Sequence, residues 1–375
     1  MKRIRVRSQF ILAFALLFLA PAVLSQTVAV GTCLPQLKSY PTISQAVSSV
    51  TPGSIIEVCP GTYPEQVIIT QPLTLRGVHA GNAGNATVTV PSSGLTKSVI
   101  APTNGTNMFF QILVQGTESG MVIINNLAIN GSSSANSTLN GAIEGIYYQN
   151  SSGVINGVAT SNQKGNGSGF GIFVEATTSP AKTVTVKNSS VHDFDTEGIR
   201  TNGGGVPPSL TANITFNTVI SSSSFSGNAV AGGIDIQGAA GSIMNNRVVT
   251  HPASAGISAG VGIAFASNSI ITGNTVANFS VGIWGLGTSN TIKSNQVTLA
   301  GSGIVLSASS NVVENNFLFN LNGGAGISFN CTGTGNTVIN NIVNDAVWGI
   351  VSPHGPNTIS PNSFFNVTNV ISGPC

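Results

Sequence analysis

The chain has 375 residues, 41% hydrophobic and only 6% charged, with a formal net charge of +2. Apolar residues this frequent and this regularly spaced exclude a charge-solvated disordered chain. Four of the thirteen basic residues (Lys2, Arg3, Arg5 and Arg7) crowd the first seven positions, and removing them leaves nine basic against eleven acidic residues. The rest of the chain carries no basic stripe to neutralise phosphates, so nucleic acid is not an expected partner.

Residues 1–25 read as a secretory signal peptide. The four basic residues precede an apolar run from Phe10 to Leu19, and Ala20-Pro21-Ala22 or Val23-Leu24-Ser25 offers a cleavage site. The apolar run is shorter than the about 20 residues a membrane span needs, and no later stretch qualifies. These features imply a secreted or periplasmic location, with no membrane span in the mature chain. Export favours disulfides among Cys33, Cys59, Cys331 and Cys375. Three pairings are possible. Cys33–Cys59 and Cys331–Cys375 are preferred, because each would staple one end.

Residues 38–80 differ from the rest of the chain. Ile43, Ala46, Val47 and Val50 recur at helical spacing, with Pro41 or Thr42 near the start and Thr51-Pro52-Gly53 as the stop. Ile55–Val58, Val67–Ile69 and Leu73–Leu75 read as short strands, and Pro60–Tyr63 as a turn. A short helix before brief strands suits a cap over the open end of a stacked sheet.

Beyond residue 81 a phrase recurs: apolar-x-x-Asn-x-apolar, then Gly-Ile. Asn274 leads to Gly282-Ile283, Asn295 to Gly303-Ile304, Asn316 to Gly326-Ile327 and Asn341 to Gly349-Ile350. One such unit cannot bury its own apolar face, so the copies must stack. Asn217, Asn246, Asn274, Asn295, Asn316 and Asn341, with Asn125 and with Ser189 as a substitute, are expected at a tight left-handed corner. There they would stack as a structural ladder of side-chain amides.

The segments Thr42–Val47, Pro52–Ile56, Pro60–Val67 and Leu73–Gly77 resemble the opening of pectin-lyase-like right-handed parallel β-helix proteins. Pectin methylesterases and NosD-like periplasmic proteins begin similarly, and the later Asn and Gly-Ile copies resemble the general parallel β-helix repeat. The resemblance implies an all-β fold, a right-handed parallel β-helix of about ten coils with a short N-terminal capping helix. Residues 26–375 would form one domain, with coils over 81–351 and a C-terminal cap over 352–375. The resemblance implies no single chemistry, since lyases, hydrolases, esterases, epimerases and non-enzymes share the fold. An Asp-Phe-Ile-Phe-Gly stretch, a three-aspartate set with Gly-His-Gly and a Trp-x-Asp-His are all missing. Ser352-Pro353-His354 lacks the acid of the epimerase Asp-Pro-His.

Late coils are tight, whereas 132–140, 161–168, 202–211, 221–231 and 251–260 are Gly/Ser/Asn/Thr/Pro-rich insertions. Insertions in a solenoid collect on one face, so a site is expected between residues 130 and 260. If each Ile after Gly points inward, the next residue points outward. That column reads Tyr147, Phe173, Arg200, Asp235, Ala264, Trp284, Val305, Ser328, Val351. Tyr147, Phe173, Glu175 and Trp284 are candidate ligand-binding residues. Asp195, Glu197, Arg200 and Asp235 are candidate catalytic residues, since paired carboxylates beside an arginine suit acid–base work on a glycosidic bond or a uronate.

Three functions fit. The first is polysaccharide binding, or binding of another cell-surface or periplasmic partner, along the solenoid face. The second is a divergent polysaccharide lyase or glycoside hydrolase. The third is a structural or adhesive spacer. No cofactor is expected, and Ca²⁺ enters only on the lyase-like reading. His79, His192, His251 and His354 lack metal-site spacing.

Overall fold

A computed structural model describes residues 25–79, 85–117, 120–165, 167–204, 209–221, 232–250, 258–321, 323–330, 333–351 and 355–372. The signal-peptide reading (Ser25 aside), Cys331, Cys375, His251 and His354 lie outside these residues, as does most of the 221–231 and 251–260 insertions.

The capping helix is Ile43–Ser49, and Thr42 caps it by accepting from the Gln45 N–H. Glu65 accepts from the Ile43 and Ser44 N–H groups at 2.8 Å each. Gln71 donates to the Val47 and Val50 carbonyls at the other end. So short a helix has little stability of its own, and these side chains satisfy its orphan backbone groups. Ile43, Ala46 and Val47 enter the main core, and Cys33–Cys59 forms a disulfide beside the cap.

Short parallel strands then repeat in three rows. The first row runs through Met121–Asn125, Ser152–Asn156, Lys182–Lys187 and Leu210–Thr215 to Thr337–Ile339. The second includes Ala159–Ser161, Ser190–His192, Thr218–Ser221 and Arg247–Thr250. The third runs from Asn107–Gln115 through Ala142–Gln149, Gly169–Ala176, Glu197–Gly203 and Gly232–Gln237 to Ile342–Val351. Each strand pairs in parallel with its counterpart one coil on. Ser363–Ile371 extends the stack in the segment expected as a C-terminal cap. Pro60–Tyr63, read from sequence as a turn, lies largely in a strand, Gly61–Pro64, because Thr62 and Tyr63 pair with Thr87 and Val88 of a later segment.

The Gly-Ile signature has a steric cause. The isoleucines Ile172, Ile199, Ile234, Ile263 and Ile283 are fully buried in the central core. A Cβ on Gly198, Gly233, Gly262 or Gly282 would lie 2.1–2.3 Å from a Cγ of Val219, Val248, Val276 or Val297, the core valine of the next second-row strand. Close approach, not backbone freedom, therefore requires glycine there. Gly233→Ala is expected to cost about 2–3 kcal/mol by overpacking, read as a lower urea midpoint.

The asparagine ladder runs through Asn217, Asn246, Asn274, Asn295, Asn316, Asn341 and Asn362. Each side-chain amide donates to the next Oδ1 at 2.9–3.0 Å. Each Oδ1 also accepts the backbone N–H of the asparagine one coil earlier. Ser189 joins through its N–H, which donates to Asn217. Two details correct the sequence reading. Asn125 lies on a first-row strand, paired with Asn156, and is not a rung. The rungs themselves are not left-handed. The residue before each of the first six is: Phe216, Asn245, Gly273, Ser294, Asn315 and Asn340, with φ of 53–67°. That residue makes the bend, so the asparagine can aim its amide into the stack. A second ladder, Asn290–Asn311–Asn336–Asn357, stands five positions earlier in the late coils.

Candidate functional site

The outward column stands in register. Tyr147 pairs with Phe173, Phe173 with Arg200, Arg200 with Asp235, Asp235 with Ala264 and Ala264 with Trp284. A flanking column holds Phe110, Glu144, Phe170 and Glu197. On the other side stand Gln115, Gln149, Glu175, Asn202 and Gln237. The third-row face thus gathers most of the candidate residues.

Arg200 sits at the centre. Its Nη1 lies 3.3 Å from Glu197 Oε1, and its Nη2 donates to Gln237 Oε1 at 3.0 Å. Gln237 in turn donates to Asp235 Oδ2 at 2.6 Å. The guanidinium lies over the Phe170 ring, 5.7 Å from its centroid. Arg200 and Asp235 are cross-strand neighbours, but Arg200 makes its ion pair with Glu197 and reaches Asp235 through the Gln237 amide. Glu197 and Asp235 are buried, and the arginine side chain keeps 19% of its exposure. Among the described residues, the buried atoms Glu197 Oε2, Asp235 Oδ1 and Arg200 Nε have no hydrogen-bond partner. Buried polar atoms without partners are costly, so three at one spot form an under-satisfied cluster just beneath the surface of this face.

Burial, then the neighbouring Asp235 carboxylate, pushes the Glu197 pKa from 4.5 up to about 8, against the opposing pull of Arg200. Burial raises Asp235 from 3.8 to about 6, with Arg200 and the Gln237 bond working against it. Groups with folded pKa values above their unfolded ones contribute most at low pH, and lose that contribution as pH rises through the folded values. Stability of this region is therefore expected to fall between about pH 4 and pH 8. Glu197→Gln should flatten that slope, measured by urea denaturation across the range.

The other candidates separate. Asp195 is turned into the corner, where Oδ2 accepts from the Gly165 N–H at 2.7 Å, and its carboxyl is raised by burial. The nearby Asp193 takes φ of +58° and bonds His192 Nδ1. The acidic run 193–197 is thus split among three environments, since a bend divides it. Tyr147 and Phe173 stack at 5.2 Å and 11°, but both are buried. Glu175 accepts from the Tyr147 hydroxyl at 2.6 Å and from the Thr103 N–H at 2.9 Å. Trp284 is half-buried two coils beyond Asp235, its Nε1 donating to Ser307. The sequence reading missed Glu144, fully buried with both carboxylate oxygens unpartnered, and Gln237. The Glu144 signal was present: Glu-Gly-Ile occurs at both 144–146 and 197–199. Among the described residues, no group of three or more His, Cys, Asp or Glu is placed to hold a metal. No described helix is long and apolar enough to cross a membrane.

Stacked parallel rows around one core, with side chains ordered in outward columns, define a parallel β-helix. A family described as "Right handed beta helix region" matches residues 209–364. Solved structures of the same fold include the mannuronan C-5 epimerase AlgE6 A-module of Azotobacter vinelandii. It is 11% identical, with 88% of this chain and 94% of that chain covered and a TM-score of 0.52. The DFA-IIIase of Arthrobacter chlorophenolicus A6 without its lid is 15% identical over 91% and 98% of the two chains, with a TM-score of 0.57. The periplasmic alginate epimerase AlgG is 16% identical over 86% and 80%, with a TM-score of 0.52. No curated protein sequence matches. The chain is a right-handed parallel β-helix protein, and these likenesses concern the fold.

Proposed function

We propose that this is an exported protein that binds acidic polysaccharide along its third-row face, at a site centred on Arg200 with Glu197 and Asp235. The observation that carries the reading is a cluster of three buried, unpartnered polar atoms on those side chains, beneath an arginine that keeps 19% of its side-chain exposure. A partly exposed arginine held over an aromatic ring suits a uronate carboxylate. Glu197 Oε2 and Asp235 Oδ1 suit sugar hydroxyl donors. The neighbouring folds named for mannuronan and alginate favour a polyuronate as the first ligand to try.

One observation favours catalysis as a second reading. Glu197 and Asp235 are two buried carboxyls beside one arginine, both held toward their protonated forms by burial, a pairing that acid–base chemistry can use. The purified protein should be incubated with alginate and with polygalacturonate, following unsaturated ends, reducing sugar and retention on immobilised polymer. Retention without turnover supports the binding reading. Turnover abolished by Arg200→Ala with Asp235→Ala supports the enzyme. Activity or retention that survives the double substitution rules this site out.

A further inference from the structure

We infer that the face formed by Tyr147, Phe173 and Glu175 is a subsite for a neutral sugar unit, occupied by the chain's own segment 98–106. The inference rests on the carbohydrate reading of the adjoining Arg200 site and extends it.

Tyr147 and Phe173 stand in the outward column, outside the solenoid core, yet they are buried. They belong to a second apolar cluster that includes Phe170, Met108 and Ala101. Ser98–Ile100 runs antiparallel to the start of Asn107–Gln115, and so folds back over this face. Gln66 holds the base of the segment, accepting from the Thr96 and Lys97 N–H groups and donating to the Lys97 and Phe110 carbonyls.

The contacts at its tip are the kind a sugar makes. The Thr103 N–H and hydroxyl both donate to Glu175 Oε1. Asn202 donates to the same hydroxyl at 2.9 Å, and Gln149 donates to the Ile100 carbonyl at 2.9 Å. A hydroxyl that donates to a carboxylate and accepts from an amide is the usual pattern of a bound pyranose hydroxyl. Beneath the segment, Glu144 is fully buried with neither carboxylate oxygen hydrogen-bonded. Burial holds that carboxyl toward its protonated form, so it offers an O–H donor and an acceptor that the segment leaves unfilled.

Gln149 also lines an open cleft of about 360 Å³ at the segment's edge, together with Thr70, Gln115, Asn150 and Thr178. Every side chain in that set is uncharged. No basic side chain lines it, and of the carboxyls beside it burial holds Glu144 toward its protonated form, so nothing there pairs with a uronate and a neutral unit is the better fit. Asn202 lies on the strand that carries Glu197 and Arg200, so the subsite continues the proposed polysaccharide path.

A ligand that needs the segment displaced binds with its affinity reduced by the fraction of molecules in the open state. Thr103→Ala removes the hydroxyl's two bonds and should tighten binding of cellohexaose and mannohexaose by roughly five- to tenfold, measured calorimetrically on the full chain. The same variant should speed amide exchange at 98–106 before ligand is added. The double substitution Thr103→Cys with Asn202→Cys, oxidised to lock the segment down, should abolish hexaose binding and regain it on reduction. Hexaose affinity unchanged in both variants overturns the inference, as does failure of the released variant to bind either hexaose. Alginate binding to the unaltered protein is a separate arm. Its absence with hexaose binding present sinks the Arg200 reading and leaves this subsite standing.

Discussion

Asn274→Ala is expected to destabilise the solenoid by about 3–6 kcal/mol, because it strands several buried groups at once. Asn274 donates to the Ile243 carbonyl and to Asn295 Oδ1, while its own Oδ1 accepts both the N–H and the side-chain amide of Asn246. Alanine strands the Asn246 N–H, takes one of the two bonds of the Asn246 amide (the other runs to the Ile214 carbonyl) and removes the side-chain donor to the Ile243 carbonyl, in a site water does not reach. Each such group costs about 1–3 kcal/mol. In a stack whose coils touch only their neighbours, the loss should spread outward from the damaged coil. Hydrogen exchange should therefore accelerate first in the coils on either side of residue 274, with a lowered urea midpoint for the whole chain. Asn274→Asp is the informative companion. Protonated at acidic pH, it keeps both acceptor roles and has one O–H in place of the two N–H donors to Ile243 and Asn295, so it should fall between the wild type and the alanine variant.

Arg200→Ala should weaken binding of alginate by roughly 100-fold or more, the scale seen when one partner of a buried charge pair is removed. The guanidinium is the cation paired with Glu197, and through Gln237 it organises Asp235. Without it both carboxyls keep their burial and lose the charge that lowers their proton affinity, so both should hold their protons to still higher pH. Arg200→Lys separates charge from geometry. It restores a cation but not the planar fork over Phe170, and should recover only part of the affinity. Full affinity in Arg200→Lys would point to simple charge attraction, and unchanged affinity in Arg200→Ala would move the ligand elsewhere on the solenoid.

What the sequence made legible was whatever repeats. The Gly-Ile phrase placed Ile199, Ile234 and Ile283 inward, and the residues after them fell into one column from Tyr147 to Trp284. The spacing of Ile43, Ala46 and Val47 marked the capping helix for the same reason, since periodicity reports which side chains share a face. Local chemistry misled where stacking partners lie coils away. Pro60-Gly61 looks like a turn, yet its neighbours pair with Thr87 and Val88. Asp193, Asp195 and Glu197 look like one patch, yet a bend sends Asp195 to Gly165 and Glu197 to Arg200. The burial of Tyr147 and Phe173 was hidden because the segment that covers them, 98–106, lies far earlier in the chain and shares none of the repeat. The second ladder from Asn290 to Asn357 was readable, at the same period as the first and offset by five residues.

The most direct test of the Arg200 site is amide hydrogen exchange on the full chain, titrated with alginate oligomers. The expected result is ligand-induced protection concentrated in Glu197–Gly203 and Gly232–Gln237, the strands that carry Arg200 and Asp235. Protection confined to the regular coils from Ser302–Leu306 onward, or none at saturating oligomer, would contradict it.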